Sequence, residues 1–135
     1  MSTGPALVSI LRQGTTLVAS VHTALDDAQM LRFQDDLVRQ IGEHRSRGVI
    51  IDVAALDVLD SFATRTLHGI AEMARLRGAR TVVVGIQPDV AFSMVQLGTG
   101  TGGLTTALDL EDGLALLELL EGGGTHDAPG PAGAR

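Results

Sequence analysis

Short apolar runs alternate along this chain with longer segments in which apolar residues return every three or four positions, the signatures of strand and helix respectively. Leu7–Leu11 and Thr16–Val21 flank Gln13-Gly14-Thr15 and read as a β-hairpin or two adjacent strands. A helix follows from Asp26-Asp27, with Met30, Phe33 or Gln34, Leu37 and Ile41 along one face. Its first-turn acids, with Arg39, Arg45 and Arg47 toward its end, complement the helix dipole, and Gly48 is the expected stop. Val49–Val53 is a buried strand rich in β-branched residues. A second helix is expected from about Ser61 to Arg77, facing Ala63, Leu67, Ile70, Ala74 and also Phe62 and Met73 inward, with Gly78 behind it. Thr81–Ile86 is the clearest buried strand, and Gln87-Pro88 breaks it before a third helix carrying Val90, Ala91, Met94, Val95 and Leu97. A glycine-rich loop, Gly98–Gly103, leads to a short strand at Leu104–Leu108. The last helix, Asp109 to about Leu120, sets Leu110, Leu114, Leu117 and Leu120 on one stripe. Strands alternating with helices after an initial hairpin predict an α/β fold, a mixed sheet with helices packed against it. One domain is expected over residues 6–121, and the Gly/Pro/Ala-rich tail, 122–135, is expected to be disordered.

The chemistry concentrates where the central strand meets the second helix, at Asp52-Val53-Ala54-Ala55-Leu56-Asp57-Val58-Leu59-Asp60-Ser61. Asp60 and Ser61 are both favoured helix N-caps, because their side-chain oxygens accept from the unpaired N–H groups of a first turn. A phosphate on Ser61 would meet such donors and the positive end of the helix dipole. Asp57 and Asp60 already place negative charge beside that hydroxyl, and a phosphate adds about −1.5 to −2 more at neutral pH. Arg65, one turn on, is either a charge-assisted partner for that phosphate or a solvated helix residue. Thr64 is a second nearby hydroxyl, less suited as an acceptor because it lies inside the first turn. On physical chemistry alone, a simple N-cap at Ser61 or Asp60 is the better explanation.

Composition narrows the classes of function. The 135 residues are 44% hydrophobic, enough for one compact core. The net charge is −6 and every basic residue is arginine, so no basic stripe offers itself to nucleic acid or an anionic membrane. There is no apolar run of transmembrane length and no signal-peptide pattern at the N-terminus. Cysteine is absent, which removes disulfides, thiolate zinc sites and thiol nucleophiles. Trp and Tyr are absent as well, so stacking platforms for bases or sugars are scarce. A cytoplasmic protein-binding domain without cofactor or metal is the resulting expectation.

Other patterns read as structure. Gly98–Gly103 satisfies GxGxxG, but it follows a helix and precedes a strand, the reverse of the order a dinucleotide site needs. Without lysine there is no phosphate-binding P-loop. His22, His44, His68 and His126 fall in separate elements and read as surface residues; His68 stands about 10 Å along the helix from Ser61, too far to act as its base. Asp26-Asp27 suit a cap, and Asp35-Asp36 suit either a solvated helix face or part of an interface.

The stretches ALDDAQMLRFQDDLVRQI, IDVAALDVLDSFATRTL, GIQPDVAFSMVQLG and TALDLEDGLALL, in that order from about Val8 to Leu120, resemble the STAS-domain family of anti-sigma-factor antagonists, and within it the scaffolds of the bacterial stressosome. The resemblance implies a STAS domain with a mixed, mainly parallel sheet. It also implies that Ser61 is the phosphoacceptor, in an environment made by Asp57, Asp60, Thr64 and Arg65. The implied protein is non-catalytic and forms a homodimer or larger assembly with STAS-domain sensor paralogues of the RsbR type. That assembly sequesters a serine kinase of the anti-sigma type (RsbT-like), releases it on phosphorylation in a stress-response partner-switching cascade, and is reset by a phosphatase (RsbX-like). Two alternatives stay open: a free antagonist pairing one-to-one with its kinase, and, remotely, a small nucleotide-binding α/β enzyme. The glycine-rich loop and the tail depart from the family's expected pattern.

Overall fold

The structure, a computed structural model, describes residues 7–88 and 104–126, the last five by backbone alone. A hairpin of β1 (Val8–Gln13) and β2 (Thr16–Val21) turns at Gly14-Thr15, where Gly14 takes a positive φ of 62°. Helix α1 (Asp27–His44), β3 (Gly48–Asp52), α2 (Ser61–Leu76), β4 (Arg80–Val84), β5 (Thr105–Ala107) and α3 (Leu110–His126) follow. The sheet has the order β1-β2-β3-β4-β5, antiparallel between β1 and β2 and parallel in every other pair. This is the expected mixed, mainly parallel sheet.

Side-chain alternation sorts the core into two layers. Leu17, Ala19, Val49, Ile51 and Val83 point to one face, where Met30, Phe33, Leu37 and Ile41 of α1 and Leu67, Ile70 and Ala74 of α2 cover them. Ile50, Val82 and Val84 point to the other face and meet Leu117 of α3. Strands β3 and β4 are therefore apolar at successive positions, because helices bury both of their faces. Phe33, not Gln34, belongs to the buried stripe of α1. On α2, Thr64 and Thr66 join the buried face. Met73 and Phe62 are only partly buried.

Two helix ends and one helix face differ from the sequence reading. Helix α1 ends at Arg45, in the left-handed conformation (φ 51°), and not at Gly48; the Ser46 N–H reaches back to Ile41 O at 3.1 Å. Arg47 and Gly48 must already be extended, since both N–H groups donate to Thr15 O and open the pairing with β2. On α3 the contact is centred on Gly113 and Leu117 rather than on a stripe through Leu110, which is 37% exposed. A Cβ on Gly113 would stand 2.7 Å from Val84 Cγ1, so the missing side chain lets the helix settle onto the sheet there. Helix α3 also continues to His126, past Leu120 and Gly122; glycine costs a helix about 1 kcal/mol without forbidding it. The third helix expected over Val90–Leu97, the loop Gly98–Gly103 and residues 127–135 lie outside the described residues.

Leu117 is 2% exposed and, among the described side chains of α3, is the one fully buried, whereas Leu119 is 72% exposed. Leu117→Ala is expected to lower the unfolding free energy by about 2–5 kcal/mol. Leu119→Ala should stay within about 0.5 kcal/mol of the parent. Urea unfolding of the two variants checks both.

Candidate functional site

The site lies beyond the C-terminal end of β3, where the central strand gives way to α2. The end of β3 is fixed by backbone bonds before any side chain matters. Val53 N–H donates to Val84 O at 3.0 Å, extending the parallel ladder one residue past the strand. Asp52 Oδ1 accepts the Ala54 N–H at 2.9 Å, a local turn that competes with continued strand. Gln87 Nε2 then donates to Ala54 O at 2.8 Å. Gly85, with a φ of +83°, makes this approach possible: a Cβ there would fall 2.7 Å from Ala54 Cβ and 2.9 Å from Ala54 N.

The middle of the loop is held by apolar contacts. Leu56 and Leu59, three apart, are 7% and 4% exposed and pack on the α1–α2 side of the core, leaving Asp57 and Val58 in solvent between them. Beneath the loop a cavity of about 80 Å³ remains, walled by Val21, Leu25, Met30, Phe33, Leu59 and Leu67.

Of the two possible caps, the structure uses Asp60. Its extended backbone (φ −78°, ψ 178°) leads into α2, and its Oδ1 accepts the Ala63 N–H at 2.8 Å. Ser61 is thus the first helical residue. Its hydroxyl is half-buried and, among the described residues, has no hydrogen-bond partner. The Asp60 carbonyl accepts both the N–H and the hydroxyl of Thr64, each at 2.9 Å. Thr64 is 1% exposed, so its oxygen is neither free nor reachable. Thr66 is likewise buried, its hydroxyl donating to Phe62 O at 2.8 Å. Of the hydroxyls in this first turn and a half, Ser61 is the accessible one. Arg65, one turn along, is exposed and forms no ion pair with the described residues. The site gathers Asp57, Asp60 and Ser61 at the loop's end with Arg65 beyond, while Thr64 turns inward.

The remaining candidates stay apart. His22 shares a hydrogen bond with Ser9 Oγ at 3.0 Å, His44 sits exposed at the end of α1, and His68 is half-buried rather than on the surface. Asp26 caps α1 in a reciprocal box with Gln29. Asp36 pairs with Arg39, whose guanidinium is held above its ordinary pKa first by the hydrogen bond to Glu43 and then by the charges of Glu43 and Asp36. Among the described residues no cluster of three or more potential ligands gathers that could hold a metal. None of their helices is long and apolar enough to cross a membrane. Sequence reasoning missed two supports of the site. Leu56 and Leu59 were legible as a three-residue apolar spacing inside the loop; the demand on Gly85 depends on a residue thirty-one positions away and left no local signal.

The STAS domain, as a family, matches residues 8–110. Among solved structures, a serine-to-glutamate variant of Moorella thermoacetica RsbS superposes with a TM-score of 0.75 at 34% identity, covering 86% of this chain and 98% of that one. A chain from the stressosome, described as a signal integration and transduction hub, follows at TM-score 0.68 and 32% identity, covering 84% of this chain and 98% of its own. The RsbT co-antagonist protein RsbRA of Bacillus subtilis is 29% identical over 102 residues, 76% of this chain and 37% of that protein. The chain thus spans about a third of the length of the curated relatives it first matches.

If Asp60 is the cap, Asp60→Ala should destabilise the chain by about 0.5–2 kcal/mol, while Asp60→Asn, which keeps the acceptor, should retain most of the stability. Urea unfolding, with amide exchange at Ala63 as the local readout, distinguishes the pair.

Proposed function

Because this chain belongs to the STAS-domain family, on its branch of stressosome and anti-sigma-factor-antagonist scaffolds, we propose that it is a non-catalytic scaffold and phospho-switch acting through Ser61. A serine kinase of the RsbT type docks on the assembly, transfers phosphate to Ser61 and is thereby released into a partner-switching cascade. A phosphatase of the RsbX type resets the serine. The chain's own contribution is a hydroxyl and a surface; ATP and Mg²⁺ belong to the kinase. Its place is the cytoplasm, in a complex with RsbR-type STAS paralogues.

The observation that carries the reading is the contrast within one helical turn. Ser61 offers a reachable hydroxyl with no partner among the described residues, whereas Thr64 and Thr66 spend theirs on backbone carbonyls in the core. A phosphate on Ser61 would stand at the start of α2, favoured by the dipole and within a turn of Arg65. It would also stand beside Asp57 and Asp60, whose charges oppose it. The modified site carries concentrated negative charge, and a partner docked there loses contact while the core below is untouched. The stressosome chain at 32% identity supports assembly into a large complex over a one-to-one antagonist.

Incubation with ATP and an RsbT-type kinase should yield one phosphate, mapped to Ser61 by mass spectrometry and absent from Ser61→Ala, with kinase release following phosphorylation. Kinase release that proceeds unchanged in Ser61→Ala would reject the switch. A second test addresses Arg65. Phosphorus NMR of the phosphorylated chain should show the second phosphate ionisation, ordinarily near pH ~6, moving upward in Arg65→Ala, because removing a neighbouring cation disfavours the dianion.

A further inference from the structure

The sequence has no run of basic residues, yet the fold assembles a basic end. At the other end of β3 from Ser61, α1 and α2 both finish beside the start of the strand. An open basin of about 640 Å³ lies there, walled by Arg45, Ser46, Arg47, Leu76 and Arg77 over Gly42, and no carboxylate lines it. Arg45, Arg47 and Arg77 are exposed and form no ion pair with the described residues, whereas Arg39 and Arg75 are each paired with acids of their own helices. In a chain with a net charge of −6, three guanidinium groups gathered without an acid need a reason.

The helix ends supply only part of one. Each carries about −0.5 charge, so the two offset about one of the three positive charges. Their last carbonyls are also served by backbone already. Ser46 N–H donates to Ile41 O at 3.1 Å, and Arg45 N–H to Gly42 O at 3.4 Å. Arg77 and Ala79 N–H both donate to Ala74 O at 2.9 Å. About two positive charges remain, which matches a phosphate of about −1.5 to −2 near neutral pH.

Two further features fit an anion. Gly42 is a helical residue of α1 rather than its cap, and its φ is not positive. Glycine weakens a helix at such a position. Its missing side chain instead makes room for Arg77: a Cβ would stand 3.0 Å from Arg77 Nη1 and 3.7 Å from Cζ. The guanidinium is thereby seated against the last turn of α1, in the wall of the basin. Ser46 is 3% exposed, and its Oγ has no hydrogen-bond partner among the described residues. A buried hydroxyl without a partner is costly, and an oxyanion resting on it supplies one.

We propose that this basin binds a phosphate dianion, free or carried as the monoester of a small molecule, through Arg45, Arg47 and Arg77. Planar guanidinium forks match phosphate oxygens two at a time. The volume exceeds that of a phosphate alone, and Leu76, 76% exposed, offers contact to an organic body. Ser61 and its kinase play no part here, so the site stands or falls independently of the switch.

The test is titration of the full-length, nitrogen-15-labelled chain with inorganic phosphate and, separately, with ethyl phosphate, at constant ionic strength. Amide signals of Arg45–Gly48 and Arg77–Gly78 should shift saturably, with half-saturation at or below about 10 mM, while those of Ser61–Arg65 stay in place. Tighter binding of ethyl phosphate assigns a phosphate ester as the ligand, and tighter binding of inorganic phosphate assigns the free ion. Arg47→Gln and Arg77→Gln should each weaken binding about fivefold or more. Gly42→Ala separates binding from folding. It should leave the urea midpoint unchanged or raised, because alanine favours the helix, yet weaken binding about threefold or more by displacing Arg77. The proposal is overturned if no signal shifts, if the shifts fall at Ser61–Arg65 instead, or if the three variants bind as the parent does. A basin that responds to polyglutamate but not to phosphate overturns it too.

Discussion

The constraint on which the rest of the molecule depends is the burial of β3 and β4 on both faces. Parallel strands so placed have no polar side to show, and Ile50, Ile51, Val82, Val83 and Val84 all reach zero exposure. Such a pair needs helices above and below, which α1 and α2 supply on one side and α3 on the other. Fixing the two strands in register also fixes where they end. The chain leaves β3 at Asp52 and β4 at Val84 side by side, and the loops that follow meet above the same edge of the sheet.

That meeting is what turns an ordinary helix start into a usable site. Open parallel sheets carry their functional groups beyond the carboxyl ends of the strands, because the loops there are free to vary while the strands are not. In this chain the loop is not slack. Val53 stays bonded to the β4 backbone, Gly85 admits Ala54 at close range, and Leu56 and Leu59 anchor the far half in the core. The result delivers Ser61 to solvent on a rigid helix end while the sensitive chemistry stays outside the core. A charge added there perturbs what docks on the surface more than it perturbs the packing. The switch proposed at Ser61 is electrostatic and local, confined to the first turn of α2.

Much of this was legible in the chain. The apolar runs and the three-to-four spacing located the strands and helices, because each reports a local periodicity that burial imposes on side chains. Asp-Ser at a strand-to-helix junction marked the site, because orphan N–H groups demand an acceptor wherever a helix begins. What local reasoning could not decide was which of the two residues would serve. Asp60 took the cap and Ser61 was left free, since the loop's length between its Leu59 anchor and the first buried contact at Ala63 sets which residue stands at the junction. Gly48 as a stop, Leu110 on the buried stripe and Phe33 or Gln34 as alternatives were settled by partners distant in sequence: Thr15, Val84 and the α1–α2 core. Sequence determined the elements and the chemistry on offer, because both are set within a few residues. Only the tertiary structure decided which hydroxyl is exposed and which glycine is obligatory, because each of those depends on what packs against it.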